Sequence, residues 1–281
     1  MSTGHFVRSR IAHSLRIGAI VIGTAVVAFP IYWMIVTAIQ PLTISLSFPP
    51  PLVPTDFDFS GFVSAITELP LIQWLSNSTV LAGVATLITT SLAILGAYCL
   101  SVLRWKGKLL LGFGLLLTQL MPEAVIVVPV FDIFRRTGMV QNLVAVSLLH
   151  AAFILPIAIW ILKSSFDRIP REIVEAGLID GCGHLGVLRR MIIPVSVPAI
   201  VAVSVVAFFT SWSEYLFTTT LISRAELYPA SLGLASMISQ LDTPVAELLS
   251  AGLIYALLPV VLYTIAQKYI IAGMTAGAVK G

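Results

Sequence analysis

Two carboxylates stand where an ionised side chain is costly. Glu123 follows Pro122 near the middle of one apolar run, and Glu214 lies in the outer half of another. A carboxylate among apolar neighbours must be paired, protonated or wetted. Two roles meet that need: lining or gating a path for a polar solute, or hydrogen bonding between helices. Trp212, two residues before Glu214, has an indole that stacks equally well on a ring-shaped solute or on its own bundle. His150, alone in an apolar stretch, reads either as a packed imidazole or as a solute contact. No nucleophile–base constellation and no His/Asp cluster at metal spacing is evident, so neither a catalytic nor a metal site is expected. Cys99 and Cys182 suggest no metal site or disulfide framework. A phosphate-cradling loop is also missing. The one Lys followed by Ser is Lys163-Ser164, and Leu162 stands where that loop requires Gly.

A second constellation is polar and lies between apolar runs. It begins Phe166-Asp167-Arg168-Ile169-Pro170-Arg171-Glu172 and ends Arg189-Arg190-Met191-Ile192-Ile193-Pro194. Pro170 suits a helix start, where its missing N–H is not needed. Glu172 and Glu175 fall in the first turns, where the helix dipole favours negative charge. Gly181 and Gly183 are stops, and Leu185, Leu188 and Ile192 then recur at helical spacing. The pattern predicts helix, break, helix. Ala176, Gly177 and Gly181 would give the first helix a small face that another surface can approach closely. Two amphipathic helices lying on lipid are the alternative.

The elements that position these residues follow from composition. The chain has 281 residues, 58% apolar and 10% charged, against about 25% charged in ordinary globular domains. So much apolar surface needs an apolar solvent. Six apolar stretches, near 17–39, 79–103, 109–131, 141–162, 198–222 and 250–271, are each long enough to cross a bilayer. Helix is the form that pairs every backbone amide there without strand alternation. The first stretch is too long for a signal-peptide core and lacks a small-x-small cleavage site, so it reads as a retained helix. From Gln40 to Asn77 there is no Lys or Arg, and Pro41, Pro49, Pro50, Pro51 and Pro54 suggest an extended outer excursion. Tyr32, Trp33 and Trp74 suit interfacial anchoring or packing. Pro122, Pro129 and Pro156 are expected to bend their helices.

The basic residues are lopsided. Arg8, Arg10, Arg16, Arg104, Lys106, Lys108, Lys163, Arg168, Arg171, Arg189, Arg190, Lys268 and Lys280 fall on one side of a six-span arrangement. Arg135, Arg136 and Arg224 fall on the other. The positive-inside rule places both termini in the cytoplasm. The expected organisation is a cytoplasmic tail over 1–16, a transmembrane domain over 17–271 with its polar loop at 163–197, and a second tail over 272–281. The net charge of +3 gives no support to nucleic-acid binding.

The loop resembles that of binding-protein-dependent ABC importer permeases: Glu-Ala-Ala, three residues, Gly, nine residues, Ile, one residue, Leu-Pro. Glu175, Ala176, Gly181 and Pro194 match outright, with Gly177 for the second Ala, Met191 for Ile and Ile193 for Leu. Trp212-Ser213-Glu214-Tyr215-Leu216, Ile179-Asp180-Gly181, Asn77-Ser78 and the terminal Gly273–Gly281 segment are similar to the carbohydrate-uptake branch typified by maltose permeases. The resemblance implies an all-α membrane protein, a six-transmembrane-helix type I ABC importer permease with cytoplasmic coupling helices, in the plasma (inner) membrane. It implies that Glu175, Ala176, Gly177, Asp180, Gly181 and Pro194 form the contact with an ATPase, and that Gly277, Lys280 and Gly281 reach the same subunits. The implied partners are a second permease subunit, two ATPase subunits that use ATP and Mg, and an extracytoplasmic solute-binding protein delivering a sugar. This chain itself would bind no cofactor, and Glu123, Trp212 and Glu214 would be candidates for the translocation pathway. An ion-gradient-driven secondary transporter is the rival, but it needs its own midplane ion site and leaves the docking loop unused. Glycerol phosphate or another polyol is an alternative solute.

Overall fold

The computed structural model describes residues 3–45, 47–238 and 245–278, and the regular elements among them are all helical. They divide into two units, Met1–Leu69 with Gln240–Ile254, and Pro70–Ser239 with Tyr255–Gly281.

The first unit holds α1 (Thr3–Ala38), the short α2 (Leu42–Ser45), α3 (Ser60–Thr67) and the opening turns of α14 (Val245–Ala278). From Ile17 onward α1 carries no charged residue. Ile20, Val21, Ile22, Val26, Val27 and Phe29 are all exposed. A helix hydrophobic all round is a membrane span rather than the edge of a water-soluble core. Gly61 of α3 lies against α14, where a Cβ would come within 2.9 Å of the Ala246 carbonyl. Tyr32 donates its hydroxyl to the Leu52 carbonyl, so the proline-rich segment turns back towards α1.

The second unit is built on α4 (Leu71–Ser101), α7 (Leu143–Phe166) and α11 (Val197–Trp212). Small residues let these helices approach closely, as packing without a hydrophobic drive requires. Ala93 and Ala97 of α4 meet Ala158, Ile159 and Leu162 of α7 and Val203 of α11. A Cβ on Gly96 would come within 2.7 Å of Ile159. Thr90 and Ser204 share a hydrogen bond at 3.1 Å between α4 and α11. A second cluster joins Leu81 to Val130 and Phe134 of α6 (Glu123–Arg136), Val146 of α7, and Phe217 and Leu221 of α12 (Leu216–Leu221).

Among the described residues four helices are long and apolar enough to span a bilayer, and six spans result if each of two bent pairs counts as one. The second of these pairs joins His184–Val195 to α11 at 83°, and the first corrects a sequence expectation. The stretch at 109–131 is not one rod: α5 (Lys108–Thr118) meets α6 at 96°. Pro122 is extended there, with ψ 128, and has no N–H to continue the helix. The side-chain amide of Gln119 donates to the Phe153 carbonyl at 2.9 Å and holds the corner. The stretch at 198–222 is also divided. At 16 residues α11 is only about 24 Å long, and the chain breaks at Ser213 before α12.

The outer segment is more ordered than its prolines suggest. Pro41 and Pro70 precede α2 and α4, where a proline costs no hydrogen bond, and α4 begins at Leu71 rather than near 79. Trp74 is therefore a buried helix residue. Its ring packs so tightly on α13 (Ala230–Ile238) that a Cβ on Gly233 would lie 2.3 Å from it. We expect Gly233→Ala to overpack this contact and cost about 1–3 kcal/mol, seen as a lower midpoint in detergent thermal unfolding, with Trp74→Phe partly restoring it.

Candidate functional site

The polar loop leaves α7 at Phe166 and re-enters the bundle at α11. Asp167 closes α7: Lys163 approaches its carboxylate at 2.6 Å and Ser101 of α4 donates to it at 2.6 Å. Partial burial pushes this carboxyl up, but the hydrogen bonds from Lys163 and Ser101 outweigh burial and hold it below its ordinary value. Pro170 then starts α8 (Arg171–Ile179), with Glu172 in the first turn.

The end of α8 explains its glycine. Gly181 has φ +81, a left-handed conformation that L side chains rarely adopt. Its N–H bonds the Leu178 carbonyl at 3.1 Å, and the N–H of Cys182 bonds the Gly177 carbonyl at 2.9 Å. This pair of bonds is a Schellman closure, which satisfies carbonyls the helix end would orphan. A Cβ at Gly181 would meet nothing within 4 Å. Its turn, not a close approach from within the chain, demands glycine there.

Gly177 behaves differently. It is buried, and a Cβ there would come within 2.6 Å of the Met191 sulfur and 3.1 Å of Val187. The small face expected on α8 is therefore divided. Glu175, Ala176 and Asp180 are exposed, as is Pro194 further along, while Gly177 points inward at the chain's own return segment. Gly177 and Met191 are two of the three departures from the family spacing, and they touch. A smaller residue on one side makes room for a longer one on the other.

After Gly183 the chain forms α9 (His184–Val187), a π-helical turn over Leu188–Ile192 and α10 (Ile193–Val195). Val187, Leu188 and Ile192 are fully buried in the same cluster as Ala97, Leu162 and Val203. The hydroxyl of Tyr98 on α4 meets His184 Nδ1 at 3.1 Å. Outward, Ile179 and Leu185 stay 85% and 75% exposed. The loop thus has an anchored inner face and an apolar outer face with no cover among the described residues. Arg104 reaches Glu175 at 3.8 Å between exposed side chains, a pair that contributes little to stability.

The residues chosen inside the apolar runs separate. Glu123 is not mid-helix: it is the first residue of α6 after the corner at Pro122, and it is exposed. Acid at that position suits the helix dipole. Glu214 sits at the other break and is buried. It accepts the N–H of Phe217 at 2.6 Å and of Thr218 at 3.0 Å, and the Thr218 hydroxyl also donates to it. Those N–H groups open α12 and have no partner within it. Trp212 is sandwiched between Phe208, at 5.5 Å, and Tyr255, at 5.2 Å. Both ring faces are taken, so its reading as packing prevails over stacking on a solute. His150 is buried with Nδ1 3.2 Å from the Ser211 hydroxyl, the satisfied contact expected of a packed imidazole.

Gly277 lies in the last turns of α14, while Lys280 and Gly281 fall outside the described residues. Among the described residues no group of three or more His, Cys, Asp or Glu could hold a metal. Sequence reading missed the Tyr98–His184 contact, the Asp167 bracket and Tyr255. The shared departure of Gly177 and Met191 was the one signal available for their contact.

Residues 89–276 match the family of binding-protein-dependent transport system inner membrane components. The chain belongs to that family, as a multi-pass permease component of ABC transporters. It is 31% identical over 255 residues to the inner membrane ABC transporter permease protein YcjP of Escherichia coli, covering 90% of this chain and 91% of that one. It is also 31% identical to the trehalose/maltose transport system permease protein MalG of Thermococcus litoralis, covering 95% and 96%. The fold is similar to a chain in the crystal structure of a bacterial ABC transporter involved in import of the acidic polysaccharide alginate, with TM-score 0.80 and 22% identity over 94% of this chain and 98% of that one.

Two predictions follow from the geometry. Gly177→Ala and Met191→Ile each disturb one side of a matched contact, so the double variant should be more stable than the sum of the singles by about 1 kcal/mol, measured by thermal unfolding in detergent. Glu214→Ala removes the acceptor for two buried N–H groups and should cost about 1–3 kcal/mol for each one left unpaired, with Glu214→Gln recovering part of the loss in the same assay.

Proposed function

We propose that this chain is one membrane half of an ATP-driven importer that passes a sugar or oligosaccharide inward, and that α8 with the turn at Gly181 is its contact with a separate ATPase subunit. The observation that carries the reading is the two-faced loop: Val187, Leu188 and Ile192 are buried in the bundle, while Ile179 and Leu185 are exposed. A segment fixed to the moving helices on one side and uncovered on the other is what transmission of force from another subunit requires. Glu175, Ala176, Asp180, Gly181 and Pro194 lie at or beside the exposed side, and Gly177 supports it from beneath.

The rest of the assembly follows from the family. A second permease completes the pathway, two ATPase subunits use ATP and Mg, and an extracytoplasmic binding protein supplies the solute. Relatives named for trehalose/maltose and for diacetylchitobiose uptake support a sugar over glycerol phosphate or another polyol. Membership of a binding-protein-dependent family argues against an ion-gradient carrier. The loop then faces the cytoplasm with both termini, as the basic residues suggest. All three cations on the opposite side are engaged in ion pairs, Arg135 and Arg136 with Asp132 and Arg224 with Glu226. Glu123 and Glu214, at the two breaks, are the candidates for the pathway or its gate, and the tail at Gly277, Lys280 and Gly281 for a further ATPase contact.

Ala176 is the residue to test, because a side chain at Gly181 would strain its turn whatever the partner does. With the ATPase, second permease and binding protein reconstituted in nanodiscs, Ala176→Arg should lower binding-protein-stimulated hydrolysis at least about tenfold, equivalent to about 1.4 kcal/mol of lost coupling. Co-purification of the ATPase should fall while thermal unfolding of the permease is unchanged. Normal stimulation and co-purification would exclude α8 as the contact.

A further inference from the structure

A cavity of about 710 Å³ lies between α8 and the ends of the spans, and of its lining the coupling reading uses only Glu175. Its boundaries place it at the membrane surface. Ser101 and Phe166, the last residues of α4 and α7, line it together with Leu103 and Trp105 from the connection to α5. Val174 and Leu178 line it from α8. Three residues after Trp105 the chain enters α5, whose Leu109 and Leu110 are 82% and 77% exposed. The cavity is therefore within reach of both lipid tails and water.

Its charges are sorted. Asp167 is spent on Lys163 and Ser101. Glu175 and Arg104 face each other loosely at 3.8 Å. Arg171 also lines the cavity, and among the described residues its guanidinium makes no ion pair or side-chain hydrogen bond. What remains unbalanced is one guanidinium, with a second held only weakly. Guanidinium forks bind phosphate oxygens in pairs, and the apolar lining beside them suits a glycerol backbone. The indole of Trp105 is anchored through its N–H to the Cys99 carbonyl at 3.0 Å, in the position an interfacial tryptophan takes at headgroup level.

We infer that this cavity is a binding site for the phosphodiester headgroup of a membrane phospholipid, held by Arg104 and Arg171 between the coupling helix and the ends of α4 and α7. A lipid seated there touches the side of α8 that carries Arg171, Val174 and Leu178, and meets the side offered to an ATPase only at Glu175. It would brace that helix against the bundle and make coupling sensitive to bilayer composition.

The test reads lipid directly, independently of transport, so it stands or falls apart from the importer reading. The full chain is purified with its co-purifying subunits, exchanged into palmitoyl-oleoyl phosphatidylglycerol, and examined by native mass spectrometry. Wild type should retain a phospholipid that the double variant Arg104→Gln/Arg171→Gln binds at least about tenfold more weakly, because two charge-assisted contacts are lost. Both side chains are exposed, so the variant should remain folded. Arg189→Gln, which alters an arginine outside the cavity, should retain the lipid as wild type does. Equal retention in the double variant, or equal loss in Arg189→Gln, would overturn the site in favour of diffuse attraction to the membrane. Inorganic phosphate at equal concentration should not displace the lipid. Displacement would show that the cavity selects a free phosphate and would overturn the lipid assignment.

Discussion

The structure depends on one buried contact: Val187, Leu188 and Ile192 of the polar loop share a core with Ala97 of α4, Leu162 of α7 and Val203 of α11. A loop between spans is ordinarily the most mobile part of a membrane protein, since its backbone is solvated. Here the loop carries its own apolar side chains into the bundle. A displacement of α8 then moves three spans at once, because close-packed cores transmit strain rather than absorb it. The Schellman closure at Gly181 and the fit of Gly177 to Met191 hold α8 at a set angle to that anchor.

The breaks at Pro122 and Ser213 answer a different constraint. In a bilayer every N–H and C=O freed by a break needs a partner from the protein. Gln119 supplies a side-chain bond at the corner of α5 and α6, and Glu214 supplies acceptors at the start of α12. Each break also places a carboxylate where a helix end would not ordinarily be found, Glu123 at one and Glu214 at the other. The same arrangement turns Glu214 from a free reactive group into a held one, a cost for any role that needs its charge exposed.

Aromatic residues show how much of the interior is packing rather than contact with solute. Trp74 rests on Gly233, and Trp212 lies between Phe208 and Tyr255. In a bundle without hydrophobic drive between helices, such matched surfaces are the main source of association.

The sequence by itself determined the class of the chain. Composition required a membrane, the lengths of the apolar runs set the approximate number of spans, and the spacing from Glu175 to Pro194 marked the loop and its family. These are local or additive properties, legible without knowing which residues meet. The tertiary structure decided the breaks at Pro122 and Ser213, because hydropathy records that residues are apolar and not the direction in which the chain runs. It decided that Gly177 points inward and Ala176 outward, since the face a helix buries depends on a partner fourteen residues away at Met191. It decided that Trp74 and Trp212 are packed, because burial follows from neighbours on other helices that no single stretch of sequence reveals.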